Sequence, residues 1–162
     1  MTEGYFNPLP LIAHGDEAIP SIENLIRAQK VAVTDTRRRN SFSPPNQVQL
    51  DVKTVLSGDI LRIHQSKDTI GLITVTMFHN NEVVRQGHFN RKDWHHNPSG
   101  QNIPPPHHIH FPTLKFPRIG RANRDGHSYA YQVDSDRDMT STLKCFCINN
   151  NISLQNAQYR VI

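Results

Sequence analysis

A chain of 162 residues with a formal charge of +4 is long enough for one domain with a hydrophobic core. Apolar residues make up 36% of it, without the run of about 18 that a membrane span needs, so we expect no membrane partner. The sequence shows no secretory signal, and Cys145 and Cys147 point to different sides of a predicted helix, which disfavours a disulfide. We therefore expect a cytoplasmic protein.

The chain is predicted to begin with an irregular N-terminal arm over residues 1–20, where prolines and glycines interrupt any periodicity. A single domain is expected over residues 21–162. It opens with a short amphipathic helix in the segment PSIENLIRAQKVA, residues 20–32, and continues into an exposed linker at 34–47. The apolar side of this helix consists of Ile22, Leu25 and Ile26.

From residue 47 onward, alternating and β-branched segments predict extended chain. The strand candidates lie at 47–56, 57–66, 69–79, 82–93, 107–111 and 128–133. A final amphipathic helix is expected at 134–150, with Ser135 and Asp136 as capping residues. This order predicts an α+β fold, in which an antiparallel meandering sheet of about five or six strands carries an N-terminal and a C-terminal helix on one face.

Histidines are concentrated at the two ends of a Pro- and Gly-rich loop, HHNPSGQNIPPPHHIH, residues 95–110. In the segment HHIHF, strand alternation places His108 and His110 on one face, opposite Ile109 and Phe111. If the loop doubles back, His95 or its neighbour faces this pair. We expect the imidazoles from both ends of the loop to meet there.

Positive charge is concentrated in the same part of the chain, because basic residues outnumber acids between Arg85 and His127. Such a stretch attracts phosphate-bearing partners, of which RNA is the first candidate. The expected phosphate-binding residues are Arg91, Lys92, Arg118 and Arg121.

One chemistry that fits these residues is general acid–base cleavage of RNA. Histidine has an ordinary pKa near 6.5, so one neutral ring can accept a proton while a second, protonated ring donates one. In this interpretation His95 and His110 act as acid and base, with His108 close by. Asp93 orients an imidazole, Arg91 holds the phosphate and Tyr129 hydrogen-bonds the substrate.

A metal site is the second chemistry, because an H-x-H pair on a strand has legitimate zinc spacing. Its ligands would be His95, His108 and His110, with a water in the fourth position. The third interpretation is a solvated loop without a site. Structural or solvent-exposed roles are expected for His14, His64, His79 and His88.

These motifs resemble an uncharacterised family of small bacterial and prophage proteins and, more loosely, the TumE-type toxins of toxin–antitoxin pairs. The matching residues are Arg91, Asp93, His95, Asn97, Pro98, Gly100, His108, His110, Phe111, Tyr129, Ala130 and Tyr131. The sequence departs from the pattern at Ser99, His107 and Gln132. The resemblance implies a ribonuclease-type effector, with a cognate antitoxin or a host defence protein as its partner.

The sequence therefore favours a histidine-dependent, metal-independent endoribonuclease of toxin or phage-defence type, with no cofactor. Two alternatives stay open. One is a non-enzymatic phage or prophage module that binds nucleic acid, a nucleotide or a host protein through the basic loop. The other is a histidine-ligated zinc phosphoesterase.

Overall fold

An eight-stranded sheet, in the order β10-β1-β2-β3-β4-β5-β8-β9, forms the framework of the protein. The computed structural model describes residues 6–34, 47–54, 60–120 and 127–155. Within those residues the strands are β1 (Lys30–Thr34), β2 (Gln47–Thr54), β3 (Ile60–Lys67), β4 (Ile73–His79), β5 (Glu82–Phe89), β6 (His95–His96), β7 (Asn102–Ile103), β8 (His108–Phe111), β9 (Tyr129–Gln132) and β10 (Ile152–Ser153). Neighbours in the large sheet pair antiparallel except β1 with β10, and β6 pairs with β7 in a separate small sheet.

The predicted α+β class is confirmed, with more strands than the five or six expected. Two α-helices, α1 (Pro20–Arg27) and α2 (Met139–Asn149), pack on one face of the sheet. Arg85 of β5 reaches Glu23 of α1, and two residues further along the strand a Cβ at Gly87 would meet the ring of Phe146 in α2. Because residues two apart point to the same face, both helices cover the same side.

The first helix is shorter than predicted. It ends at Arg27, and Lys30–Thr34, expected as helix at least as far as residue 32, form strand β1 between β2 and β10. The side chain of Lys30 folds back, and its Nζ donates to the carbonyl oxygens of Leu25, Ile26 and Ala28 at 2.7–2.8 Å. These bonds satisfy backbone carbonyls at the end of the helix that have no N–H partner within it. The β-branched residues Val31 and Val33 favour the extended chain that follows.

Polar side chains occupy the opposite face of the sheet and form two cross-strand rows. One row runs from Thr76 through Gln86 to His110, and the next from Thr74 through His88 to His108. On the core face of β8 lie Ile109 and Phe111, both fully buried, as strand alternation predicts. The loop between β5 and β8 therefore starts and ends beside the polar face.

The N-terminal segment is held against the sheet by specific contacts. Asp16 accepts hydrogen bonds from the Thr113 hydroxyl and the Lys115 backbone, and Ala18 forms a β-bridge with Thr113. Phe6 stacks on Tyr131 with ring centroids 3.5 Å apart. None of the helices in the described part of the chain combines the length and apolar character that crossing a membrane requires.

Candidate functional site

The two ends of the histidine-rich loop meet. The ring of His95, on β6, lies 5.3 Å from that of His108 and 4.7 Å from that of His110, measured between centroids. The side-chain amide of buried Asn97 fixes this approach by pairing with edge strand β9. Its Oδ1 accepts from the Ala130 N–H at 2.8 Å and its Nδ2 donates to the Ala130 carbonyl at 2.9 Å.

A fourth histidine, His88, completes the cluster. It is the direct cross-strand neighbour of His108, and its ring centroid lies 5.2 Å from that of His108 and 4.7 Å from that of His110. His88, for which the sequence predicts a structural or solvent-exposed role, is thus a member of the site. No local motif marks it, because its membership depends on how β5 and β8 align.

The closest contact in the cluster joins the Nε2 atoms of His108 and His110, which are 3.0 Å apart. On the far side of its ring, His110 places Nδ1 3.0 Å from the hydroxyl of buried Ser128. The Nδ1 atom of His108 is buried and has no hydrogen-bond partner among the described residues. The two Nε2 atoms therefore face the same position between the rings.

Gln86 fixes the tautomer of His88. The amide nitrogen of Gln86 donates to Thr76 Oγ1 at 3.0 Å, so its oxygen faces His88 Nε2 at 2.9 Å. An amide oxygen only accepts, and this nitrogen therefore carries the proton. In the neutral ring, Nδ1 keeps the lone pair. An outer partner of this kind is what orients metal-ligating histidines in proteins.

Together, His88, His108 and His110 can hold a metal ion. Each offers one ring nitrogen, and the three atoms lie within 4.8 Å of one another. Tetrahedral zinc with bonds of 2.0–2.1 Å separates its nitrogen ligands by roughly 3.3 Å, close to the spacing of the two Nε2 atoms. His95, expected as a ligand, lies outside this group. Its Nε2 instead donates to the Ser128 carbonyl at 2.9 Å.

Burial keeps these rings neutral. Desolvation, followed by the nearby charges of Arg91 and His95, lowers the pKa of His88 to about 4. Desolvation also lowers the pKa of His108 to about 3 and shifts that of His110 well below its ordinary value. The pKa of His95 moves in the same direction for the same first cause, opposed by its bond to the Ser128 carbonyl. Neutral imidazole is the form that binds metals.

The three histidines line an open cavity of about 790 Å³. Arg91, half-buried, lies at its wall with one guanidinium nitrogen donating to Thr74 Oγ1 at 2.8 Å. Lys92 and His127 are exposed at the same cavity, which is also lined by side chains from the polar face of the sheet. The cavity thus combines a group able to hold a metal with positive charge at its rim.

Of two further predicted site residues, Asp93 and Tyr129, only the first lies at the cavity. Asp93 lines the cavity but makes no hydrogen bond to an imidazole within the described part of the chain. Tyr129 is not brought into the site. Its ring is fully buried against Phe111 on the core face, and its hydroxyl accepts from the Ala13 N–H at 3.0 Å.

The structure locates only one of the two predicted phosphate contacts beyond residue 115. Arg118 is exposed and is not among the residues that line the cavity, and Arg121 lies outside the described residues. Two further histidines of the loop have other partners. His96 pairs with the Asn102 side chain, and His107 accepts from the Asn90 backbone through Nδ1 while its Nε2 faces the Ser135 carbonyl.

Comparison with protein-family models, curated proteins and solved structures gave no match.

Proposed function

We propose that the protein is a metal-dependent hydrolase of phosphate esters that acts on nucleic acid, with zinc held by His88, His108 and His110. The observation that carries this proposal is the convergence of three ring nitrogens at the wall of a cavity. The outer contacts of Gln86 on His88 and of Ser128 on His110 support it, because they hold two of the rings at their non-ligating nitrogens.

The same geometry disfavours a metal-free acid–base reaction. Both nitrogens of His110 are engaged, one with His108 and the other with Ser128, and the residue is only 7% exposed. His95 donates its Nε2 proton to a backbone carbonyl. A general acid must present its proton to the leaving oxygen, and neither ring does so in this arrangement.

Substrate chemistry follows from the charges around the cavity. A bound zinc ion would supply a water of lowered pKa. Hydrolysis then forms a phosphorus–oxygen bond to this water, breaks the ester bond and leaves a proton for the departing alkoxide. Arg91 and Lys92 stabilise the negative phosphoryl oxygens by their charge. The resemblance to TumE-type toxins points to RNA among the phosphodiesters.

The decisive experiment measures metal content and RNA cleavage on the same preparations. We expect about one equivalent of zinc by elemental analysis, and hydrolysis that stops in excess chelator and returns with zinc. His88→Ala and His110→Ala should lose both properties. His79→Ala, at the far end of β4, is the matched control and should keep both.

Three outcomes contradict the proposal. Cleavage that persists in chelator indicates the metal-free reaction. Binding of RNA without metal or turnover indicates a binding module. Zinc retained by both cluster variants indicates a different metal site.

A further inference from the structure

Three apolar side chains, named here the apolar wall, line the same cavity as the charged residues. Trp94 and Ile70 are 57% and 76% exposed, and half-buried Leu72 lines the cavity with them. Single exposed apolar side chains are common on proteins, but two exposed and one half-buried at one cavity favour an apolar or aromatic ligand there.

This wall is built on a fixed turn. The Asp68 carboxylate accepts hydrogen bonds from the backbone N–H groups of Ile70 and Leu72 at 3.0 and 2.9 Å. Across the turn, the Asn90 side chain donates to the Gly71 carbonyl at 2.9 Å. The turn between β3 and β4 is thereby tied to the start of the loop that carries Trp94. The backbone that carries Ile70 and Leu72 is therefore fixed before a ligand arrives.

Cationic side chains lie next to the indole in the sequence and at the same cavity. Arg91 and Lys92 precede Trp94 by three and two residues, while Asp93 is the one acid lining the cavity in the described part of the chain. An aromatic platform beside a cationic surface matches a nucleotide, whose flat base stacks on aromatic rings while its phosphate pairs with basic groups.

We propose that Trp94, with Ile70 and Leu72, forms a subsite for one unpaired base of a single-stranded nucleic acid. The adjacent phosphate then lies near Arg91 and Lys92 and toward the three histidines. A duplex cannot occupy this subsite, because its bases are stacked and their faces are hidden. The substrate of the proposed hydrolase is therefore a single-stranded nucleic acid. Base binding at the subsite does not depend on the proposed hydrolysis; only the position of the bond that is cut rests on it.

The chain contains one tryptophan, so intrinsic fluorescence reports directly on this subsite. The probes are a deoxythymidylate decamer and an abasic decamer of the same length and charge, each labelled for fluorescence anisotropy. We expect both to bind the protein, but only the base-containing decamer to quench Trp94 emission. The base-containing decamer should bind about 5- to 100-fold more tightly.

Substitutions at Trp94 distinguish a loss of base stacking from a loss of folding. Trp94→Ala should reduce the affinity for the thymidylate decamer to that for the abasic one, and Trp94→Phe should restore part of it. Leu114→Ala, at another exposed apolar residue (56% exposed), should leave both affinities unchanged. Equal affinity of the wild-type protein for both decamers, or binding without quenching, overturns the subsite.

The two proposals fail in distinguishable ways. A protein that binds zinc and hydrolyses RNA but shows no base preference retains the proposed function and lacks the subsite. A protein that shows base-dependent quenching but neither zinc nor turnover retains the subsite and lacks the proposed function.

Discussion

His108 and His110 point their Nε2 atoms at each other across 3.0 Å, two residues apart on one face of β8. Two neutral rings at this distance can share one proton, since one nitrogen donates and the other accepts. A metal ion at this position would replace that proton and use both lone pairs. Ser128, at the other nitrogen of His110, then fixes the orientation of the ring.

Removal of this outer contact should weaken the metal site without destroying it. In Ser128→Ala the backbone carbonyl that holds His95 is kept, and only the hydroxyl facing His110 is lost. We expect zinc affinity, measured by competition with a chromogenic chelator, to fall about 10- to 100-fold. Ser135→Ala, whose hydroxyl contacts the Asp136 carbonyl, is the control and should keep wild-type affinity. An unchanged affinity in Ser128→Ala would show that the hydroxyl does not support a ligand.

Asn97 should contribute to stability because its amide takes the place of a neighbouring strand at the edge of β9. Asn97→Ala leaves a buried N–H and a buried C=O of Ala130 without partners, at a cost of about 1–3 kcal/mol for each group. Urea unfolding measures this loss. The exposed Asn102→Ala should change the free energy of unfolding by less than about 0.5 kcal/mol. Similar values for the two variants would refute the role of Asn97.

Local periodicity predicted the parts of the fold that depend on neighbouring residues. Alternation in HHIHF placed His108 and His110 together, and the structure agrees. The same alternation applies to β9. It places Tyr129 and Tyr131 together on the core face, away from the histidines. Ser128, on the opposite face, is the residue that contacts the cluster.

The pairing of strands that are distant in sequence determines the part of the site that the sequence could not predict. His88 joins the cluster because β5 and β8 align it opposite His108, across a loop whose path no local pattern specifies. Arg85 illustrates the converse. It belongs to the basic stretch of the sequence, yet it lies three residues from His88 and points to the other face, where it pairs with Glu23. Its charge is therefore absent from the cavity.

The buried pair of Arg85 and Glu23 should dominate the stability of the helix-covered face. Its closest atoms are 2.6 Å apart and Arg85 is 2% exposed. Glu23→Ala leaves a buried guanidinium without this carboxylate, and we expect a loss of about 3–5 kcal/mol in the free energy of unfolding. The double variant Glu23→Leu with Arg85→Met should lose less, because neither charge remains. Zinc content should not change, since the pair lies across the sheet from the histidines. A loss in Glu23→Ala no larger than that in exposed Glu82→Ala would contradict this account.

Acid should destabilise the metal-free protein through His88. Its pKa is about 4 when folded, chiefly because of burial, against about 6.5 in the unfolded chain. As pH falls below about 6.5, the unfolded chain takes up a proton that the folded protein does not, so stability is lost until the pH passes about 4. The charges of Arg91 and His95 lower this pKa further, while His108 and His110 pack against the ring as neutral groups. We expect His88→Gln, measured by urea unfolding in chelator at several pH values, to lose about 3 kcal/mol less than the wild type between pH 6.5 and 4. Parallel profiles for the two proteins would mean that His88 has the same pKa in the folded protein as in the unfolded chain, and that burial does not keep its ring neutral below pH 6.5.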